Sequence, residues 1–306
     1  MRSEQINAWA QLLAGVPASR IDGPRTAAGR LNLRGLNVPV DDGQARLTYA
    51  SPVRALLPHV EVQSAVWEGV DFSGSTLNRL RLRKAILRDC SFDACKFHLC
   101  TIWSPEILNC SFVKSRFRES YFSACLALPE GKISNCSFVG ADFRGSSHGL
   151  ATYTDCDFSE VNLNRVELNG SAFINAQFSG TLRETMFSSR GPFQPECHPH
   201  FRFDNVDWTE CDLVDISFRW MPLGKVRFPH NDRHVIFTLR GAQAALSAIG
   251  AGDDVQRKLG RIWFEYCLKF PPPDLGITGV LYVPNYRKLV GDELADRVIA
   301  VLNGHR

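Results

Sequence analysis

Residues Val62–Phe122 read VQSAVWEGVDFSGSTLNRLRLRKAILRDCSFDACKFHLCTIWSPEILNCSFVKSRFRESYF. Every fifth position is apolar without a miss: Val62, Trp67, Phe72, Leu77, Leu82, Leu87, Phe92, Phe97, Ile102, Ile107, Phe112, Phe117 and Phe122. A strand repeats every two residues and an amphipathic helix about every 3.6, so neither template fits a period of five. A chain that turns a corner every five residues, with one large side chain inward per side, does. Such a chain is a coil stacked on coils.

The beat extends outward in both directions. It resumes at Ile133, Phe138 and Phe143, then at Tyr153, Phe158, Leu163, Leu168, Phe173 and Phe178, and again at Phe203, Trp208, Leu213, Phe218, Leu223 and Phe228. Earlier, Leu33 and Val38 are central to two more units. The reading therefore places coils over 31–230, with insertions near 41–60, 123–132, 145–151 and 180–200. Seven or eight coils at the strand spacing of ~4.8 Å would make a shaft roughly 35 Å long. The ends of such a stack expose backbone and apolar surface and need covers. Residues 1–30 supply a helical segment with Ile6, Trp9, Leu12 and Leu13 at helical spacing. Residues 231–306 form a small, mostly helical module. There Asp253 and Asp254 can cap a helix carrying Val255, Leu259, Ile262, Trp263, Tyr266 and Phe270 inward, stopped by Pro271-Pro272-Pro273. Ile277–Val283 suits a short strand. A last helix over Arg287–Asn303 would turn Leu289, Val290, Leu294, Val298, Val301 and Leu302 inward.

Cys90, Cys95, Cys100, Cys110, Cys136, Cys156 and Cys211 each stand two residues before a beat residue. They share that slot with Ala85, Ala141, Ala176, Ser115, Ser120 and Val161. A slot taking Cys, Ala, Ser or Val wants a small side chain, so these are core thiols rather than a disulfide framework. That usage suits a reducing compartment, and the polar start of the chain lacks a secretory apolar run, so the expected location is the cytoplasm. No apolar run approaches the ~18–20 residues of a membrane span.

The full unit is small–polar–Leu/Phe–polar–polar, as in Cys90-Ser91-Phe92-Asp93-Ala94, Ala141-Asp142-Phe143-Arg144-Gly145 and Val161-Asn162-Leu163-Asn164-Arg165. This resembles the pentapeptide-repeat family. The resemblance implies a mainly β fold, a right-handed quadrilateral β-helix with both the central and the small residue inside. The family name does not fix a function; the expected role is non-enzymatic, from the continuous repeat, the axial charge split and the lack of any catalytic constellation. The family's best-understood members resemble a DNA rod in shape and charge, bind DNA gyrase as dimers and give quinolone resistance, which requires a strongly acidic face. Here residues 79–118 carry a net charge of +6 and residues 155–215 a net charge of −7, within a chain of only +3 overall. Nucleic acid is therefore not the expected partner of the whole chain.

No Gly-Lys-Ser/Thr phosphate loop, GxSxG or HExxH is present in the sequence. Cys197, His198 and His200 are weak metal candidates that lack a fourth ligand. His148 follows Ser146-Ser147, but no carboxylate in the sequence is placed to orient it. Neither a catalytic residue nor a cofactor is assigned. Candidate contact residues are Trp103, Trp220 and Trp263, which suit protein interfaces; the acids Asp204, Asp207, Glu210, Asp212 and Asp215; and the bases Arg79, Arg81 and Arg83. The expected partner is another protein, or a second copy docking through 231–306. Two alternatives stand beside this: a DNA-mimic topoisomerase binder, and a component of a bacterial defence or toxin-control system, which no residue selects.

Overall fold

The computed structural model describes residues 3–37, 60–123, 130–190, 201–274 and 276–305, and the chain divides into two compact units, Met1–Phe158 and Ser159–Arg306. The fold is mainly β with parallel sheets, and it includes five α-helices among the described residues.

In the first unit, short strands pair in parallel one coil apart: Thr76 with Lys96 and Lys96 with Arg116, Arg81 with Thr101, Ile86 with Glu106. Single bridges from Asp71 to Ser91 and from Ser91 to Ser111 form a fourth ladder. None of the thirteen beat residues from Val62 to Phe122 is more than 9% exposed, so the period of five is an inward period. Successive coils stack like on like. Phe72, Phe92, Phe112, Phe138 and Phe158 form one column with ring centroids 4.9–5.1 Å apart and planes within 10°. Phe97 and Phe117 stack beside it at 4.7 Å. These separations are the inter-strand spacing itself, which lets offset stacking and the backbone ladder form together.

Two further positions of the unit are fixed by geometry. The residue two before the beat is mostly enclosed, and several of these side chains bond to a carbonyl of the preceding coil. Cys95 Sγ donates to the Phe72 carbonyl at 3.0 Å and Cys100 Sγ to that of Leu77 at 2.9 Å. Ser115 Oγ donates to the Phe92 carbonyl and accepts from the Cys95 amide at 3.1 Å. The residue two after the beat turns the corner with a left-handed backbone, at Ser64, Arg79, Lys84, Asp89, Ala94, Leu99 and Ser104 in sequence, with Gly69 and Gly74 between.

Helix α1 (Ser3–Leu13) buries Ala8, Trp9 and Leu12. The Trp9 ring meets Trp67 edge-on at 5.6 Å and Phe72 at 6.0 Å, so it closes the aromatic column of the first unit. The insertion expected near 123–132 is visible as a jump in register. Cys136 Sγ reaches the Ile107 carbonyl across 29 residues, against 23 for its counterparts. Residues 38–59, including Val38, and Cys125 lie outside the described residues.

No insertion exists at 145–151. His148 falls on the beat between Phe143 and Tyr153, is 0% exposed, and stacks on Phe143 at 3.9 Å and 13°. The interruption was read only because His is polar; its ring occupies the slot of a Phe.

In the second unit, 181–190 also continue the coils rather than belonging to an insertion. Leu182 and Phe187 are fully enclosed in the strands Gln177–Arg183 and Met186–Ser188. A bulge against Val206–Val214 puts Leu182 four residues after Phe178 instead of five, which breaks the pattern in the sequence. The register jump lies later: the Asn205 side chain bonds Asn175 across 30 residues, spanning 191–200, which are outside the described residues.

The same unit ends in a helical module. Strands His234–Thr238 and Ile277–Tyr282 pair antiparallel, and α2 (Leu239–Ile249), α3 (Val255–Lys269), α4 (Val283–Val290) and α5 (Asp292–Asn303) surround them. Val235, Phe237, Ala245, Phe264, Leu281, Tyr286, Val298 and Leu302 form its core. Asp254 caps α3, accepting from the Arg257 amide at 2.9 Å. The inward stripe of α3 is Gly260, Phe264 and Cys267, not the one expected: Val255 is 70% and Ile262 57% exposed. Gly260 explains the shift. A Cβ there would meet Tyr286 Oη and Val290 Cγ1 at 3.1 Å each, so the helix approaches α4 along a face that hydrophobicity alone does not mark. Leu289, also expected inward, is 43% exposed.

Candidate functional site

Within the second unit, the helical module is tied to the coils by polar contacts. The Leu213 amide donates to His234 Nε2 at 3.0 Å, so Nδ1 carries the proton and donates to Asn231 Oδ1 at 2.8 Å. Burial holds the His234 pKa below its usual value, consistent with a neutral ring in that seat. Asn285 donates to Asp215 Oδ2 at 3.0 Å, and Arg233 pairs with Asp212 at 2.9 Å. The Trp220 amide donates to the Phe270 carbonyl at 3.2 Å.

A groove runs where α3 and α4 meet this surface. One cleft of about 390 Å³ is lined by Asp215, Trp263, Leu281, Asn285, Lys288 and Leu289 among others. A second, of about 360 Å³, shares Asp215 and Trp263 and adds Met186, Arg219, Ile262 and Tyr266. Trp263 is half-buried at the join, and the exposed Ile262 and Leu289 stand beside it. Apolar walls with a few charged groups at the rim form a surface that can take up side chains of a partner.

The other two tryptophans are engaged. Trp220 is a corner residue with φ 53°, its ring edge-on to Phe270 at 4.8 Å with the Arg190 guanidinium 4.0 Å above it. Trp103, in the first unit, lies under Arg83 at 5.4 Å. Both are half-buried and off the beat for geometric reasons: one turns a corner, the other faces outward next to Ile102.

Most of the expected acidic face is already neutralised. Asp204 pairs with Lys225 at 3.0 Å, Asp207 with Arg227 at 2.9 Å and Asp212 with Arg233. Glu210 and Asp215 are exposed, the latter accepting from Asn285. Of the bases, Arg83 lies 3.7 Å from Glu61, Arg81 is beside Glu61 in the ladder, and Arg79 is a half-buried corner. The residues sequence reasoning missed are Tyr266, Leu289, Arg219 and Asn285. Of these only Tyr266 carried a signal, its spacing with Ile262 and Trp263 on α3, which suits a core stripe.

Chemistry has little foothold. Ser146 Oγ lies 2.7 Å from His148 Nε2, but His148 is sealed at 0% exposure, out of reach of any substrate. Burial pushes the thiols of Cys95 and Cys100 up to about 12, so they stay protonated. Eight cysteines among the described residues are free and buried. Cys197, His198 and His200 lie outside the described residues; among those described, no group of three His, Cys, Asp or Glu could hold a metal. No described helix is long and apolar enough to cross a membrane.

The model for pentapeptide repeats matches residues 68–103 and 154–181, in 8 copies. No curated protein matches the chain. Among solved structures, HetL, a pentapeptide repeat protein involved in heterocyst differentiation regulation in the cyanobacterium Nostoc, is 13% identical, with 66% of this chain and 93% of that chain covered and a TM-score of 0.28. QnrB1, a plasmid-mediated fluoroquinolone resistance protein, is 20% identical, with 62% and 90% covered and a TM-score of 0.23.

Proposed function

We propose that this chain, which carries pentapeptide repeats and belongs to that family, is a non-enzymatic protein-binding scaffold. In this reading the four ladders close as a right-handed quadrilateral β-helix, and the helical module of residues 231–306 captures a partner or a second copy. The observation that carries it is the groove at Trp263, flanked by Ile262 and Leu289 at 57% and 43% exposure. Large apolar side chains beside an aromatic anchor, on a preordered surface, are the make-up of a protein interface. The DNA-mimic alternative is less favoured, because three of its five carboxylates are held by cations of the same unit.

The test is affinity capture from native extract together with the mass in solution, for the parent and for Ile262→Asp with Leu289→Asp. A partner or dimer lost in the double variant is the expected result. No partner, with a mass of 34.2 kDa at every concentration, would sink the reading.

A further inference from the structure

Charge in the first unit is sorted by face, not only along the chain. On one face Lys96 is paired directly with Arg116, and His98 with Arg118. Arg79 turns the corner from this face to the next, where Arg81 and Arg83 sit in the ladder with Thr101 and Trp103 and Lys84 ends the strand. The other two faces carry Glu68, Asp89, Glu106, Asp71 and Asp93. Those acids are largely committed within the unit: Asp71 to Arg34 at 2.8 Å, Glu106 to Arg88 at 2.9 Å, Asp89 to Asn109 at 3.2 Å and Asp93 to the Val113 amide at 2.9 Å.

The basic faces are not balanced in this way. Asp142, next to Arg116 in the ladder, is gripped by both arms of Arg144 at 2.9 and 2.8 Å. Among the described residues, Arg79, Lys84, Lys96 and Arg116 have no carboxylate within ion-pair distance. Lys96 and Arg116 are exposed neighbours at the strand spacing of ~4.8 Å, where like charges repel. Asp142 attracts Arg116 from the next coil but is already engaged by Arg144, so the Lys96–Arg116 contact itself is repulsive.

We propose that this face binds an extended acidic polypeptide segment carrying carboxylates on alternate residues. Lys96 and His98, like Arg116 and Arg118, are separated by two residues of strand, about 6.6–6.8 Å. Carboxylates on alternate residues of an extended peptide have the same spacing. A polypeptide fits better than nucleic acid. The Trp103 ring lies under Arg83, so no open aromatic awaits a base. A second copy of this chain fits less well, because the acids of this unit are already engaged.

The proposal rests on the protein-binding reading but uses a surface other than the Trp263 groove. The test is fluorescence anisotropy with a labelled peptide of alternating Glu and Ser, about ten residues long. Saturable binding at about 50 mM salt is expected, weakening roughly tenfold by about 300 mM. Lys96→Glu with Arg116→Glu should weaken it a further tenfold or so, and Lys96→Gln alone about threefold, the latter with a thermal midpoint no lower than the parent's. Leu289→Asp should leave it unchanged, which separates this surface from the groove. The proposal is overturned by no saturable peptide binding in the parent, or by equal or tighter binding of a DNA duplex of about twenty base pairs. Peptide binding untouched by Lys96→Gln and the double variant, or a dimer of the free protein that Lys96→Glu dissolves, would overturn it as well.

Discussion

A left-handed backbone recurs at the corners of this chain in residues that have a Cβ, with φ between 49° and 58° at Ala94, Leu99, Ser104 and Trp220 among others. For such residues the conformation costs roughly 1–2 kcal/mol each. Ala94 has no side chain beyond Cβ to lose, so Ala94→Gly should raise stability by about 0.5–1 kcal/mol once the entropy of glycine is deducted. Ala94→Val should lower it by more than 1 kcal/mol, roughly, because a branched Cβ tolerates the region least. Chemical denaturation of the three proteins checks both signs. His148 is the second residue with a measurable signature. Burial among Phe117, Phe122 and Phe143 lowers its pKa from 6.5 to about 3, so it is neutral when folded and takes up a proton only on unfolding. Its contribution is therefore complete above pH 6.5 and is lost as pH falls from there towards 3, at up to about 1.4 kcal/mol per pH unit. His148→Leu should remove that part of the acid sensitivity, leaving the part owed to depressed carboxylates such as Asp71 and Asp142. Denaturation curves of both proteins at pH 7 and 5 should differ by about 2 kcal/mol more in the parent.

At the scale of elements, the beat of large side chains was legible because one apolar residue per side is all the core requires. Its exceptions were not, because they arise from contacts rather than composition. His148 fills an aromatic slot with a polar ring, and the bulge before Leu182 moves the phase by one residue. The small slot was read from size alone, whereas its Ser and Cys members also donate across coils. Ser115→Ala should therefore cost about 0.5–1.5 kcal/mol despite fitting the space, since its bond to the Phe92 carbonyl is lost and the Cys95 amide keeps only that carbonyl, at 3.1 Å. The cap of α3 by Asp254 was readable in the sequence; its buried face was not, because Gly260 marks it by absence of a side chain. A related close approach occurs at Gly279, where a Cβ would lie 2.4 Å from the ring of the enclosed Phe237. Gly279→Ala should cost about 1–3 kcal/mol in thermal or chemical unfolding. The groove at Trp263 was half legible: the tryptophan stood out, but the exposure of Ile262 and Leu289 depended on where α3 and α4 pack.

For the whole molecule, the period of five matters because it sets residues one coil apart side by side in parallel ladders. A charge then acquires neighbours one coil away, and those, rather than sequence neighbours, decide whether it is neutralised. That is why Asp204, Asp207 and Asp212 are quenched while Lys96 and Arg116 are left side by side. The claim on which this depends is the parallel pairing of residues one coil apart. Hydrogen-bond scalar couplings in the NMR spectrum of the isotope-labelled chain read that pairing directly. They should link the Phe92 amide to the Ser111 carbonyl and the Ala94 amide to that of Val113, and, past the register jump, the Phe117 amide to the Asp142 carbonyl. Couplings from these amides to carbonyls three or four residues earlier in the chain, or to an antiparallel partner, would contradict the stacked coil.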